Sequence, residues 1–182
     1  SESLGQTLDL SGDTLVAGTI TGRVRIFEAD GPVWRETFQI NVPTGPAAAA
    51  IDGNTIIVGS PFEAGPQNFQ EVGAAYVYVR SGGSWVQQAR LIPSNGFLED
   101  RFGYSVAIDG DTAVITAIGS DFGGTDSGAV YVFELRSEVG VACTEGGQCA
   151  SGFCVSEVCC ATECGGAETA CSAAAKGAGS DG

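Results

Sequence analysis

The chain has 182 residues, 43% of them hydrophobic, enough for one packed domain with a small appendage and too apolar for disorder throughout. Eight Lys and Arg against 22 Asp and Glu give a formal net charge of -14, so a phosphate backbone would be repelled and nucleic acid is excluded as a natural partner. His is absent, which removes the commonest general base and the imidazole metal ligand, and no apolar run approaches the roughly 18 residues of a membrane span.

In chain order the elements recur. The first unit, about residues 1–42, places an apolar run before the turn Ser11-Gly12-Asp13-Thr14, then LVAGT as a second strand, GRVRIF from Gly22 as a third and VWRETF around Trp34 as a fourth. A second unit, about 43–97, repeats this with the turn Asp52-Gly53-Asn54-Thr55, IIVGS, GAAYVYV from Gly73 and WVQQARLI from Trp85. The third, about 98–136, carries Asp109-Gly110-Asp111-Thr112, VITA and GAVYVF from Gly128, without an obvious fourth strand.

Each turn has a physical reason to recur. Glycine takes positive φ without steric cost, and Asp or Asn beside it tolerates the left-handed region, so a two-residue loop can match the strand twist. Runs such as Ala129-Val130-Tyr131-Val132-Phe133 are apolar on both faces, so each small sheet must be covered on both sides. Radial packing of four-stranded antiparallel blades does this, and the expected fold is an all-β partial β-propeller over residues 1–136.

The stretch Asp100 to Phe133 resembles an FG-GAP repeat of the kind found in integrin-α-like propellers and in bacterial surface proteins. Phe102-Gly103 matches the FG, and Gly59-Ser60-Pro61 matches the GAP with Ser for Ala. Leu4-Gly5 and Gly18-Thr19 are a weaker version in the first unit. In the second unit Gly45-Pro46 holds the FG position, which calls its first strand into question.

The resemblance implies an acidic calcium loop in some repeats, but here that loop is cut down to IDGDT and SGDT, and two carboxylates in a tight turn fall short of the roughly six to eight oxygens calcium takes. Asp109 and Asp111 are thus turn formers first and calcium candidates second. Asp121 and Asp126, in the loop after the second strand, are further candidates, as are Glu63 and Glu71 one unit earlier. No other cofactor is expected. Trp34 and Trp85 occupy matching places and are expected to share a packing role, as are Tyr76, Tyr78, Tyr131 and Phe133, while Arg23 and Arg25 are expected to pair with neighbouring carboxylates.

All seven Cys fall in the last part of the chain, residues 137–182. Dense Cys without His or C-x2-C pairs reads as a small irregular tail stapled by disulfides in an oxidising compartment. This tail resembles a Cys-rich repeat of bacterial exported proteins, recognisable by QCASGFC followed by a Cys pair. That pattern has a further Cys where Glu168 stands, so Cys143, Cys149, Cys154, Cys159, Cys160 and Cys164 are expected in disulfides, with Cys171 unpaired or joined to a partner beyond Gly182. Connectivity stays open.

Together these features lead us to expect a secreted, extracellular or cell-surface fragment of a larger bacterial protein: a non-catalytic binding or adhesion scaffold for a protein or glycan ligand. Further repeats are expected before Ser1, or other chains over the open edges. The alternatives are a non-catalytic portion of a secreted polysaccharide-processing enzyme and a purely structural component of an extracellular assembly. Lys176, the single lysine, reads as a solvated tail charge.

Overall fold

The computed structural model describes residues 2–45, 47–65, 71–93, 96–121, 123–125 and 127–135, with the backbone of 154–155 and 158–159. It is all-β, with antiparallel sheets and no helix among the described residues. The chain divides into two compact units, Ser1–Glu134 and Leu135–Gly182.

Three meanders fill the first unit, arranged as blades of a partial β-propeller. Blade 1 holds β1 (Leu4–Ser11), β2 (Thr14–Thr19), β3 (Arg23–Asp30) and β4 (Val33–Asn41), in that spatial order. Blade 2 repeats it with β5 (Ala48–Asp52), β6 (Thr55–Ser60), β7 (Ala74–Ser81) and β8 (Ser84–Leu91). Blade 3 has three strands among the described residues: β9 (Phe102–Asp109), β10 (Thr112–Ala117) and β11 (Ala129–Glu134). In the second unit β12 (Cys154–Val155) pairs with β13 (Val158–Cys159), setting the backbone of Cys154 opposite that of Cys159. The expected disulfides lie outside the described residues.

The recurring turns close as two-residue loops, with Ser11 opposite Thr14, Asp52 opposite Thr55 and Asp109 opposite Thr112. Only the glycine takes positive φ, at +56°, +52° and +56° for Gly12, Gly53 and Gly110. Asp13, Asn54 and Asp111 do not enter the left-handed region, the pattern of a type II′ rather than a type I′ turn.

First strands differ with the FG element. Gly5 and Gly103 share φ +92°, and the pairing of β1 with β2 and of β9 with β10 shifts register beside them. This is a bulge of the kind glycine permits. The second unit has proline at the matching position, a residue whose ring fixes φ near −65° and leaves no amide to donate. Its first strand nevertheless forms, shortened to Ala48–Asp52 and in unbroken register.

Alternation along the strands gives each blade a predecessor face and a successor face. Val16, Val24, Ile26 and Ile40 on the successor face of blade 1 form one core with Ala49, Ile51, Ile56, Val58 and Trp85 on the predecessor face of blade 2. Strands β5 and β6 of blade 2 in turn pack against β9. Phe102 is fully buried there, with its ring edge-on to Tyr131 at 5.2 Å and Phe133 at 5.9 Å. Arg23 and Arg25 both pair with Glu2, and Arg25 also with Glu36, as expected for this pair.

Among the described residues only blade 2 has a neighbouring blade on both faces. In β11 Val130 and Val132 are 65% and 63% exposed while Ala129, Tyr131 and Phe133 are half-buried, because no described segment lies on the successor face of blade 3. Trp34 corrects the shared packing role in the same way. It is 45% exposed on the predecessor face of blade 1, whereas Trp85 is 5% exposed inside the interface.

Candidate functional site

The two ends of the blades are built differently, and this decides where function can sit. At one end lie the β1–β2 and β3–β4 turns and their repeats. At the other, the β2–β3 connections leave the sheet: residues 20–22 in blade 1, 61–73 in blade 2 and 118–128 in blade 3.

The turn end is tied from blade to blade. The Gly53 amide donates to Ser11 Oγ at 2.9 Å, and the Gly110 amide donates to Asp52 Oδ2 at 2.7 Å. These two bonds are the same bond one blade apart. Next to them the Ile51 amide donates to Asp9 Oδ2 at 2.8 Å. Arg80 closes the outer part of the first interface, pairing with Glu28, donating to Thr14 Oγ1 at 2.8 Å and lying 4.7 Å from the Trp85 ring centroid. The aromatic contact stays within blade 2, where Arg80 and Trp85 are cross-strand partners, while Glu28 and Thr14 tie the same guanidinium to blade 1. Sequence reading missed these ties, although a polar acceptor before each turn glycine (Ser11, Asp52, Asp109) was visible at one repeat position.

The loop end gathers charge in closed pairs. Glu63 receives the Tyr76 hydroxyl at 2.5 Å on one oxygen and Arg90 at 2.7 and 3.0 Å on the other. Burial, followed by the bond to Glu63, pushes the Tyr76 phenol up to about 12. Burial acts to lower Arg90, and its bonds to Glu63 and Tyr76 outweigh this and raise it. Glu71 takes Arg101 Nε at 2.9 Å, while the Arg101 guanidinium lies 5.7 Å from the Phe62 ring centroid. The approach to blade 3 is held in the left-handed region at Glu99 and Arg101, with φ of +65° and +55°. Three bonds fix it: Arg101 N to Glu71 O and Phe102 N to Val72 O, both 2.9 Å, and Gly119 N to Asp100 O at 3.1 Å.

The calcium candidates divide between these ends. Asp109 and Asp111 are exposed in the β9–β10 turn, and Asp121 is exposed in the β10–β11 loop. The six residues of β10 separate them, roughly 20 Å at the usual rise per residue, so they belong to no common site. Asp126 lies outside the described residues. Glu63 and Glu71 are each engaged by an arginine. No cluster of three or more potential metal ligands occurs among the described residues. What this end offers chemically is two part-exposed guanidiniums, Arg90 and Arg101, held by Glu63 and Glu71 beside the buried Tyr76 and the Phe62 ring.

No helix among the described residues is long and apolar enough to cross a membrane. No curated protein matches the chain. Its similarity to known families is local and falls on the segment that joins blades 2 and 3, from Trp85 at the start of β8 to Phe133 in β11: residues 85–133 match the FG-GAP repeat.

Proposed function

We propose that the chain is a non-catalytic binding or adhesion scaffold of an exported protein, working outside the cell or on its surface through the loop end of its blades. The observation that carries this reading is the difference between the two ends. Tight turns bonded across blades leave the turn end little freedom to vary, whereas the connections at 61–73 and 118–128 are longer than a meander needs. Loops that exceed their connecting task, set on a rigid sheet, are where recognition is placed in repeat folds. The paired charges suit a polar partner, a protein or a glycan, that can exchange hydrogen bonds with Arg90 and Arg101 at the rim.

Binding of immobilised glycan and cell-surface protein arrays tests it. Charge reversal at exposed turn-end positions, Asp13→Lys and Asp111→Lys, is expected to leave binding intact. Arg90→Ala with Arg101→Ala is expected to weaken it at least tenfold. Equal losses from both ends, or turnover of a polysaccharide by the chain itself, would reject the proposal.

A further inference from the structure

We propose that Phe97, Leu98 and Glu99 form a preformed anchor at the loop end, and that its occupant is a folded protein offering an apolar socket with a cationic group at its edge. This deepens the reading of the loop end given above and rests on it. The first observation is length. Strand β8 ends and β9 begins at this end, and ten residues, 92–101, join them, whereas six, 42–47, carry the chain from β4 to β5. Two neighbouring sheets can therefore be joined without the four extra residues of the second crossing, and a turn closes within its surplus at 97–100.

The second observation is how that turn is held. The Phe97 amide donates to Asp100 Oδ2 at 2.7 Å, and the Asp100 carbonyl accepts the Gly119 amide at 3.1 Å. Asp100 is 2% exposed, a buried carboxylate used within the turn it closes. Gly96 lies so close to the buried Pro93 and Val72 that a Cβ there would overlap both, and a Cβ on Gly119 would overlap the Glu99 carbonyl. Glu99 and Arg101 occupy the left-handed region without being glycine, a conformation that persists only where the surroundings impose it.

This braced turn leaves its largest side chains in water. Phe97, at 72%, is the most exposed large hydrophobic residue among those described, and Leu98 beside it is 53% exposed. One apolar side chain in water is ordinary, but an adjacent pair on a turn already fixed can bind without a further loss of backbone freedom. Charge identifies the occupant. Glu99 is exposed and makes no ion pair among the described residues, and the chain carries a net charge of -14, so the complementary rim is cationic. A bilayer fits less well, because inserting Phe97 and Leu98 would carry Glu99 into the headgroup layer, and an anionic leaflet would repel the chain. A glycan could stack on Phe97 but presents no apolar recess for Leu98.

The test places the full chain on the immobilised glycan and cell-surface protein arrays, and on vesicles of phosphatidylcholine with and without phosphatidylglycerol. Phe97→Ser with Leu98→Ser should weaken binding to the protein spots by about tenfold or more. The urea midpoint should stay in place, since both side chains already stand in water. Glu99→Lys should slow association severalfold in low salt, with the difference closing as salt is raised. Undiminished affinity in the serine pair, with the loss from Arg90→Ala and Arg101→Ala still seen, overturns the anchor and leaves the loop-end reading standing. Binding confined to vesicles or to glycans overturns the protein occupant, whichever variant abolishes it. Equal losses at both ends of the blades, or no binding at all, reject the loop-end reading and the anchor with it.

Discussion

A methyl group at position 59 has nowhere to go, because its site is filled by the carbonyl of Gly103 from the next blade. Gly59→Ala is expected to cost about 1–3 kcal/mol, the range of an overpacked core, as read from the urea midpoint. Gly12→Ala meets open space and only the strain of a φ of +56°, so its cost should stay near 1–2 kcal/mol. The comparison separates crowding between blades from strain within a turn. Tyr76 supplies a pH signature. Its phenol is raised from 10 to about 12, so the folded chain holds that proton more tightly than the unfolded one. The associated stability is complete below pH 10 and lost as pH climbs through about 12. Chemical unfolding across that window should show a falling slope that Tyr76→Phe flattens; Tyr78, also raised by burial, leaves a remainder.

At the scale of the element, the ties between turns are the parts to test. Asp52→Ala removes the acceptor of the Gly110 amide. Exchange at Gly110 should quicken while the β9–β10 pairing holds, with a stability loss of about 1 kcal/mol. Strand existence was legible in advance because the turn glycines and the alternation of apolar residues are local signals. The first strand of the second unit was harder. The sequence has no glycine at the bulge position there, yet Ala48 to Asp52 still pair with β6 and bury between two blades. The split of acidic candidates between ends was also available: one strand separates Asp111 from Asp121, and each strand reverses the end. The fate of Trp34 was not, because its own strand is the same as that of Trp85 and only the neighbouring sheet differs.

For the whole molecule, the distribution of cysteine makes a clean prediction. All seven lie between residues 143 and 171, so reductant should leave the cooperative melting of the blades unchanged, as followed by tryptophan emission. Calcium should do likewise. With Asp109 and Asp121 at opposite ends of β10 and Glu63 and Glu71 held by arginines, added calcium or chelator is expected to leave Tm where it is. The ion pairs across blades were illegible from sequence because Arg80 and Glu28 are distant along the chain and meet only once two sheets stack.

The matched segment, residues 85–133, begins in the outer strand of one sheet and ends in the third strand of the next. The match thus spans a joint between two sheets rather than one sheet. A copied gene segment of this length would arrive with its leading ribbon ready to finish the sheet upstream and its remaining ribbons ready to begin another. Each duplication would thus lengthen the array without first having to invent a compatible seam.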